Sequence, residues 1–235
     1  MLSATELGVV TLSLKVAFLS VVASLPFALA VSHVLARRGF PGKSLLDAAV
    51  HLPLVLPPVV VGYFLLVLLG SRGPIGAWLD QWFGIVVAFR WTGAAIASAV
   101  MGFPLMIRAM RLSIEAIDPK LEAAAETLGA GHWGVFFTIT LPLALPGIMT
   151  GMLLSFARSL GEFGATITFV SNIPGETQTL PLAIYTLTQV PGGDSQALRF
   201  CILSVALSLI ALLVSEVLVR RASRRALGYD IIGRR

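Results

Sequence analysis

Long apolar segments, separated by short stretches that carry charge, run through most of the chain. Val16–Ala36 and Ala48–Ser71 hold no charged residue, and Trp91–Ile107 lies between Arg90 and Arg108. A helix needs about 20 predominantly apolar residues to cross the hydrocarbon core of a bilayer. The pattern therefore predicts five transmembrane helices, at about residues 12–36, 48–70, 89–109, 141–161 and 199–219.

Two regions depart from this simple pattern. The second predicted span contains Pro53, Pro57 and Pro58, each of which removes a backbone donor and favours a bend. The bend is either an ordinary kink or the mark of a helix that lines a pore. Residues 178–190 are too short and too polar for a sixth span, and we expect them to form a helix on or in the outer mouth.

Composition supports a membrane protein. Apolar residues make up 57% of the chain, charged residues 12%, and the mean hydropathy is +0.90, whereas soluble domains carry about 25% charged residues. Because lipid cannot satisfy backbone donors, the fold is expected to be all-α, in one transmembrane domain over residues 1–235. A single cysteine, Cys201, excludes a disulfide framework or a zinc site built on cysteines within one chain.

The distribution of basic residues sets the orientation. With the N-terminus outside and the C-terminus inside, 12 of the 17 lysines and arginines lie on the cytoplasmic side, as the positive-inside rule requires. These are Arg37, Arg38, Lys43, Arg108, Arg111, Lys120, Arg220, Arg221, Arg224, Arg225, Arg234 and Arg235.

The cytoplasmic loop at about residues 111–140 contains a short predicted helix. Asp118 and Pro119 are typical of a helix start, and Gly129 is typical of a helix end. Between them lies the run LEAAAETLG, with Glu122 and Glu126 one turn apart. A helix this short is marginal by itself, so it either docks against a partner or is a simple amphipathic connector.

The stretch EAAAETLGAGHWGVFFTITLPLALPG resembles the EAA signature of binding-protein-dependent ABC importer permeases. Gly129, Ile139 and the pair Leu141 and Pro142 match it, whereas Glu122 precedes Gly129 by seven residues instead of the usual six. The resemblance implies a type I permease fold and a coupling helix that sits in a groove of the ATPase. The residues expected to couple to the ATPase are Glu122, Ala123, Ala124, Glu126 and Gly129.

Two further stretches, His51–Gly70 and Ala157–Leu187, resemble the molybdate-type permeases of this family. Sulfate and thiosulfate permeases share the LGEFGA-type stretch and the EAA region, so sulfate, thiosulfate and tungstate remain alternative substrates. The resemblance implies a homodimer in the lipid of the cytoplasmic membrane, two cytoplasmic ATPase subunits and a periplasmic or tethered molybdate-binding protein. A self-sufficient channel or secondary transporter is the alternative of a different class.

The fourth span carries the candidate translocation path: Ser155, Arg158, Ser159 and Glu162. The serines continue a small-residue stripe that begins at Gly147, which indicates either close helix packing or a face that an oxyanion touches. Arg158 and Glu162 form either a neutralising ion pair or a weak site for a dianion. We expect no catalytic residue, no metal, no cofactor and no nucleic-acid partner, because the sequence contains no motif for them.

The topology can be tested with reporter fusions at Arg38 and at Gly192. Five spans place these positions on opposite sides of the membrane, with Arg38 inside. A phosphatase reporter, which is active only outside, should therefore be active at Gly192 alone. If both fusions report the same side, the predicted number of spans is wrong.

Overall fold

The computed structural model describes the backbone of residues 3–227 and the side chains of residues 3–214 and 217. Six arginines that the positive-inside rule places inside have side chains outside this description. They are Arg220, Arg221, Arg224, Arg225, Arg234 and Arg235.

The described chain is helical and contains no strand, which confirms the predicted all-α class. A π-helical turn, Phe136–Thr140, joins the seventh helix to the eighth. The α-helices are α1 Ala4–Arg37, α2 Lys43–Val55, α3 Pro58–Leu69, α4 Pro74–Phe83, α5 Trp91–Glu115, α6 Pro119–Thr127, α7 His132–Val135, α8 Leu141–Leu160, α9 Gly164–Val170, α10 Leu180–Thr188 and α11 Asp194–Leu227.

Four helical segments in the described chain are long and apolar enough to cross a membrane: Ala4–Arg37, Trp91–Glu115, His132–Leu160 and Asp194–Val214. The remaining predicted span, the second in the chain at about residues 48–70, is the pair α2 and α3, which meet at an angle of 113°. Pro57 forces Leu56 into an extended conformation, and Pro58 then starts α3 at its first position. The prolines thus produce a sharp break instead of the expected bend within one helix.

The centre of the fold is α5, which packs against α1 on one side and α8 on the other. Small residues allow the close approach: a side chain at Gly102 would collide with Ser155, and one at Gly151 would meet the backbone of Met106. Apolar side chains from the three helices fill the half of this contact that includes the C-terminal ends of α1 and α5, among them Leu35, Met110 and Ile148. Close packing of this kind holds helices together in lipid.

The ends of several spans differ from the predicted bounds. Helix α1 begins at Ala4 because Ser3 and Glu6 form a reciprocal capping box. Lys15 therefore lies inside the helix, and its Nζ is 3.5 Å from the ring centroid of Trp91. The fourth span ends at Leu160, and the chain resumes as α9, which packs on α3.

Two further short helices, α10 and α4, also lie between the spans. Helix α10 falls inside the predicted range 178–190 and packs against α11, which confirms that this segment is helical. Helix α4 was not predicted, because its alternation of apolar and polar residues is too short to stand out from a loop.

Candidate functional site

Helix α6 has the predicted start and end. The Asp118 side chain accepts a hydrogen bond from the Lys120 amide at 2.9 Å, and Pro119 occupies the first helical position. Gly129 has a φ of +92°. Its amide donates to the Glu126 carbonyl at 2.9 Å, and the Ala130 amide donates to the Ala125 carbonyl at 3.0 Å. These two bonds form a Schellman motif, which requires a left-handed residue at Gly129.

The surface of α6 is exposed in a single chain. None of its residues is buried, and Ala123, Ala124 and Glu126 are exposed. Large apolar side chains next to the helix are exposed as well, with Leu128 at 89% and Trp133 at 77%. Exposed apolar patches occur at protein–protein and membrane contact surfaces.

Glu122 differs from the rest of α6 because its side chain turns towards the spans. Its carboxylate lies 3.1 Å from Arg37 Nε and 3.2 Å from Arg37 Nη2, and it accepts a hydrogen bond from Thr140 Oγ1 at 2.7 Å. Arg37 Nη2 also donates to the Ile117 carbonyl at 3.1 Å. We refer to Arg37, Glu122, Thr140 and the Ile117 carbonyl as the cytoplasmic clamp.

Glu126 has separate surroundings, although it lies one turn from Glu122. Its carboxylate is 3.1 Å from His132 Nδ1, and the His132 side chain is 94% exposed. The two glutamates therefore contact different parts of the chain.

The two serines proposed for the path lie inside a helix contact of the same chain. Ser155 is fully buried and lies against Gly102. The Ser159 hydroxyl is 2.8 Å from the hydroxyl of Ser20 in α1. This position favours the packing interpretation of the small-residue stripe, and neither hydroxyl reaches a free surface of the single chain.

Arg158 and Glu162 form an ion pair where α8 ends, with 2.6 Å between Arg158 Nη1 and Glu162 Oε2. The other carboxylate oxygen of Glu162 accepts a hydrogen bond from the Ala165 amide at 2.8 Å, which caps the start of α9. The Glu162 side chain is 1% exposed and that of Arg158 is 27% exposed. Of the four path candidates, Arg158 is thus the one that can meet a solute.

Some of this site was not visible in the sequence. The partnership of Glu122 with Arg37 joins residues far apart in the chain, and no local pattern signals it. The break after α8 had a local signal, because Gly161 and Gly164 flank it. In the described part of the chain, no three His, Cys, Asp or Glu residues gather in a way that could hold a metal ion.

Comparisons with known proteins place these features in context. The family model for the binding-protein-dependent transport system inner membrane component matches residues 16–224. The chain is 64% identical over 221 residues to the molybdenum transport system permease protein ModB of Escherichia coli K12, covering 94% of the chain and 96% of that protein. It is 39% identical over 204 residues to the sulfate transport system permease protein CysT of the same organism, covering 86% of the chain and 73% of that protein.

A solved structure shares the fold. The crystal structure of a bacterial ABC transporter involved in the import of the acidic polysaccharide alginate matches with a TM-score of 0.74 at 19% identity, covering 94% of the chain and 80% of the matched chain.

Proposed function

The chain belongs to the family of binding-protein-dependent transport system inner membrane components, and we propose that it is the permease subunit of an ATP-driven importer of molybdate. The observation that carries the substrate is the 64% identity to a molybdenum permease along nearly the whole of both chains. Identity to the sulfate permease is 39%, so sulfate is the alternative to exclude. Molybdate is a tetrahedral dianion, and a binding protein outside the membrane delivers it.

The ATPase is a separate subunit that docks on the exposed face of α6. Ala123 and Ala124 supply small, exposed side chains, over which another surface can approach closely. Gly129 fixes the direction in which the chain leaves the helix. In this proposal the Glu126 carboxylate lies on the docking face, and Glu122 supports the helix from behind.

Two copies of the chain enclose the path. Four or five spans form only part of a wall, and a closed two-fold dimer is the commonest symmetric solution. Exposed apolar side chains on α2 and α3, such as Val55, Val59 and Phe64, are covered by lipid or by the second copy.

Uptake of radioactive molybdate tests the proposed function. In cells that lack their own molybdate importer, the chain should restore uptake only when it is expressed with the ATPase and the binding protein. Excess tungstate should compete, and the same excess of sulfate should not. If the cells take up radioactive sulfate but not radioactive molybdate, the proposed substrate is wrong. Uptake of molybdate without the ATPase would indicate a channel.

Docking on α6 can be tested with two substitutions. Ala124→Arg places a large charge on a surface of small side chains, and Gly129→Val places a β-branched residue at positive φ. Both variants should insert into the membrane and lose co-purification of the ATPase.

The matched controls are Ala124→Ser, which stays small, and Gly39→Val, which changes a cytoplasmic glycine with open space around it and without positive φ. If Ala124→Arg retains the ATPase at the wild-type level, α6 is only a connector.

A double variant separates the two roles of Arg158. Removing Arg158 alone would leave a buried, unpaired carboxylate, which is destabilising. Arg158→Gln combined with Glu162→Gln removes both charges and keeps an acceptor for the Ala165 amide. If Arg158 attracts the dianion, this variant is made in normal amounts but takes up molybdate more slowly. Normal uptake would show that the pair serves only the structure.

A further inference from the structure

We propose that the cytoplasmic clamp fastens α6 to the membrane-spanning helices, and that Glu122 is a positioning residue for coupling instead of a contact for the ATPase. This inference rests on the proposed function, since it assigns a role in coupling to a residue of the same site. Its basis is that one carboxylate joins three elements: the inner end of α1 through Arg37, α6 itself, and the segment that leads into α8 through Thr140.

Helix α6 needs such a fastening because its own contacts are few. It has nine residues and no buried side chain, and helices of this length are marginal in isolation. A turn precedes it at residues 116–118, and the left-handed Gly129 follows it. A helix that is held only at its two ends can rotate about the line between them. A side-chain link at Glu122, in the first half of the helix, prevents that rotation.

The clamp is built to resist displacement. The Arg37 and Glu122 side chains are mostly buried, and Thr140 is almost completely buried. Hydrogen bonds between charged groups are about twice as strong as neutral ones, and Glu122 accepts from Arg37 and from Thr140. Arg37 in addition donates to the carbonyl of Ile117, in the turn that follows α5, so the clamp links the end of α1 to the segment that follows α5 and to the segment that precedes α8.

A rigid body lies directly beneath the clamp. Leu35 of α1, Ile114 of α5 and Ala144 of α8 belong to one buried apolar cluster, which holds the three spans in fixed positions. A push on α6 by the ATPase is therefore passed through Glu122 to these spans, and not absorbed by rotation of α6.

Glu115 provides a matched control outside the residues expected to couple to the ATPase. It is a carboxylate in the last turn of α5, and its partner is Arg111 of the same helix, with 2.7 Å between Arg111 Nε and Glu115 Oε1. Arg111 keeps a second partner, Asp47 Oδ1, at 3.0 Å. Glu122→Ala and Glu115→Ala therefore remove the same chemical group, but only the first removes the link from α6 to α1 and α8.

The experiment uses the permease reconstituted with its ATPase and binding protein. In Glu122→Ala the ATPase should still co-purify, because the exposed face of α6 is intact. The ratio of ATP hydrolysis with molybdate-loaded binding protein to basal hydrolysis should fall about tenfold, within the ~5–150-fold range typical of coupling between sites. Glu115→Ala should keep the wild-type ratio.

Arg37→Ala should lower the ratio as Glu122→Ala does, and the double variant should be no worse than either single one, as expected for partners in one interaction. Loss of ATPase co-purification in Glu122→Ala but not in Arg37→Ala would show a direct contact and overturn the proposal. A wild-type ratio in Glu122→Ala would overturn it as well.

A second measurement tests the clamp if Glu122→Ala inserts poorly into the membrane. It also tests the clamp if molybdate does not stimulate the wild-type complex, a result that would count against the proposed substrate. Amide hydrogen exchange over residues 119–128 of the permease alone needs no substrate. Thr140→Val, which removes one bond of the clamp, should speed this exchange, whereas Thr140→Ser, which keeps the hydroxyl, should not. Unchanged exchange in Thr140→Val would show that the clamp does not fasten α6 to the spans.

Discussion

The close contact of α5 with α1 and α8 is the constraint on which the rest of the structure depends. Apolar surface gains little by leaving lipid for another helix, so spans associate where small residues let backbones approach. Gly102 and Gly151 provide this approach. The C-terminal ends of α1 and α5 meet the N-terminal end of α8 at one place, which brings Arg37, Ile117 and Thr140 together. The Glu122 carboxylate joins Arg37 to Thr140, and Arg37 donates to the Ile117 carbonyl.

Helix α8 connects the two functional regions. Thr140 precedes its first residue, and Arg158 lies near its last, so at 1.5 Å per residue they are roughly 27 Å apart. A helix that is packed along its side transmits a displacement over this length as a rigid body. In the proposed coupling, a movement of α6 would therefore reach the Arg158–Glu162 pair, which lies where α8 ends and the chain turns into α9.

Sequence signals were sufficient where the cause is local. Asp118, Pro119 and Gly129 gave the bounds of α6, and the apolar segments gave the helical class and the approximate spans. The prolines predicted the position of the break after Leu56, but its angle of 113° and the inward turn of Glu122 were not predicted. The angle depends on how α3 packs against α9, and the turn of Glu122 depends on Arg37, a residue of another helix. Ser159 shows the same limit, because its spacing suits a path-lining face as well as the bond that it makes with Ser20.

The distance between spin labels at Arg38 and Lys120 shows directly whether α6 moves with the spans as one body. Both residues are exposed, and a Cys201→Ser background leaves no other cysteine. The labels are placed in one permease copy of the assembled transporter. If α6 moves with the spans, the distance distribution is narrow and the same with and without ATP, and it is broader in Glu122→Ala. A distance that changes when ATP binds to the wild-type complex would contradict this account.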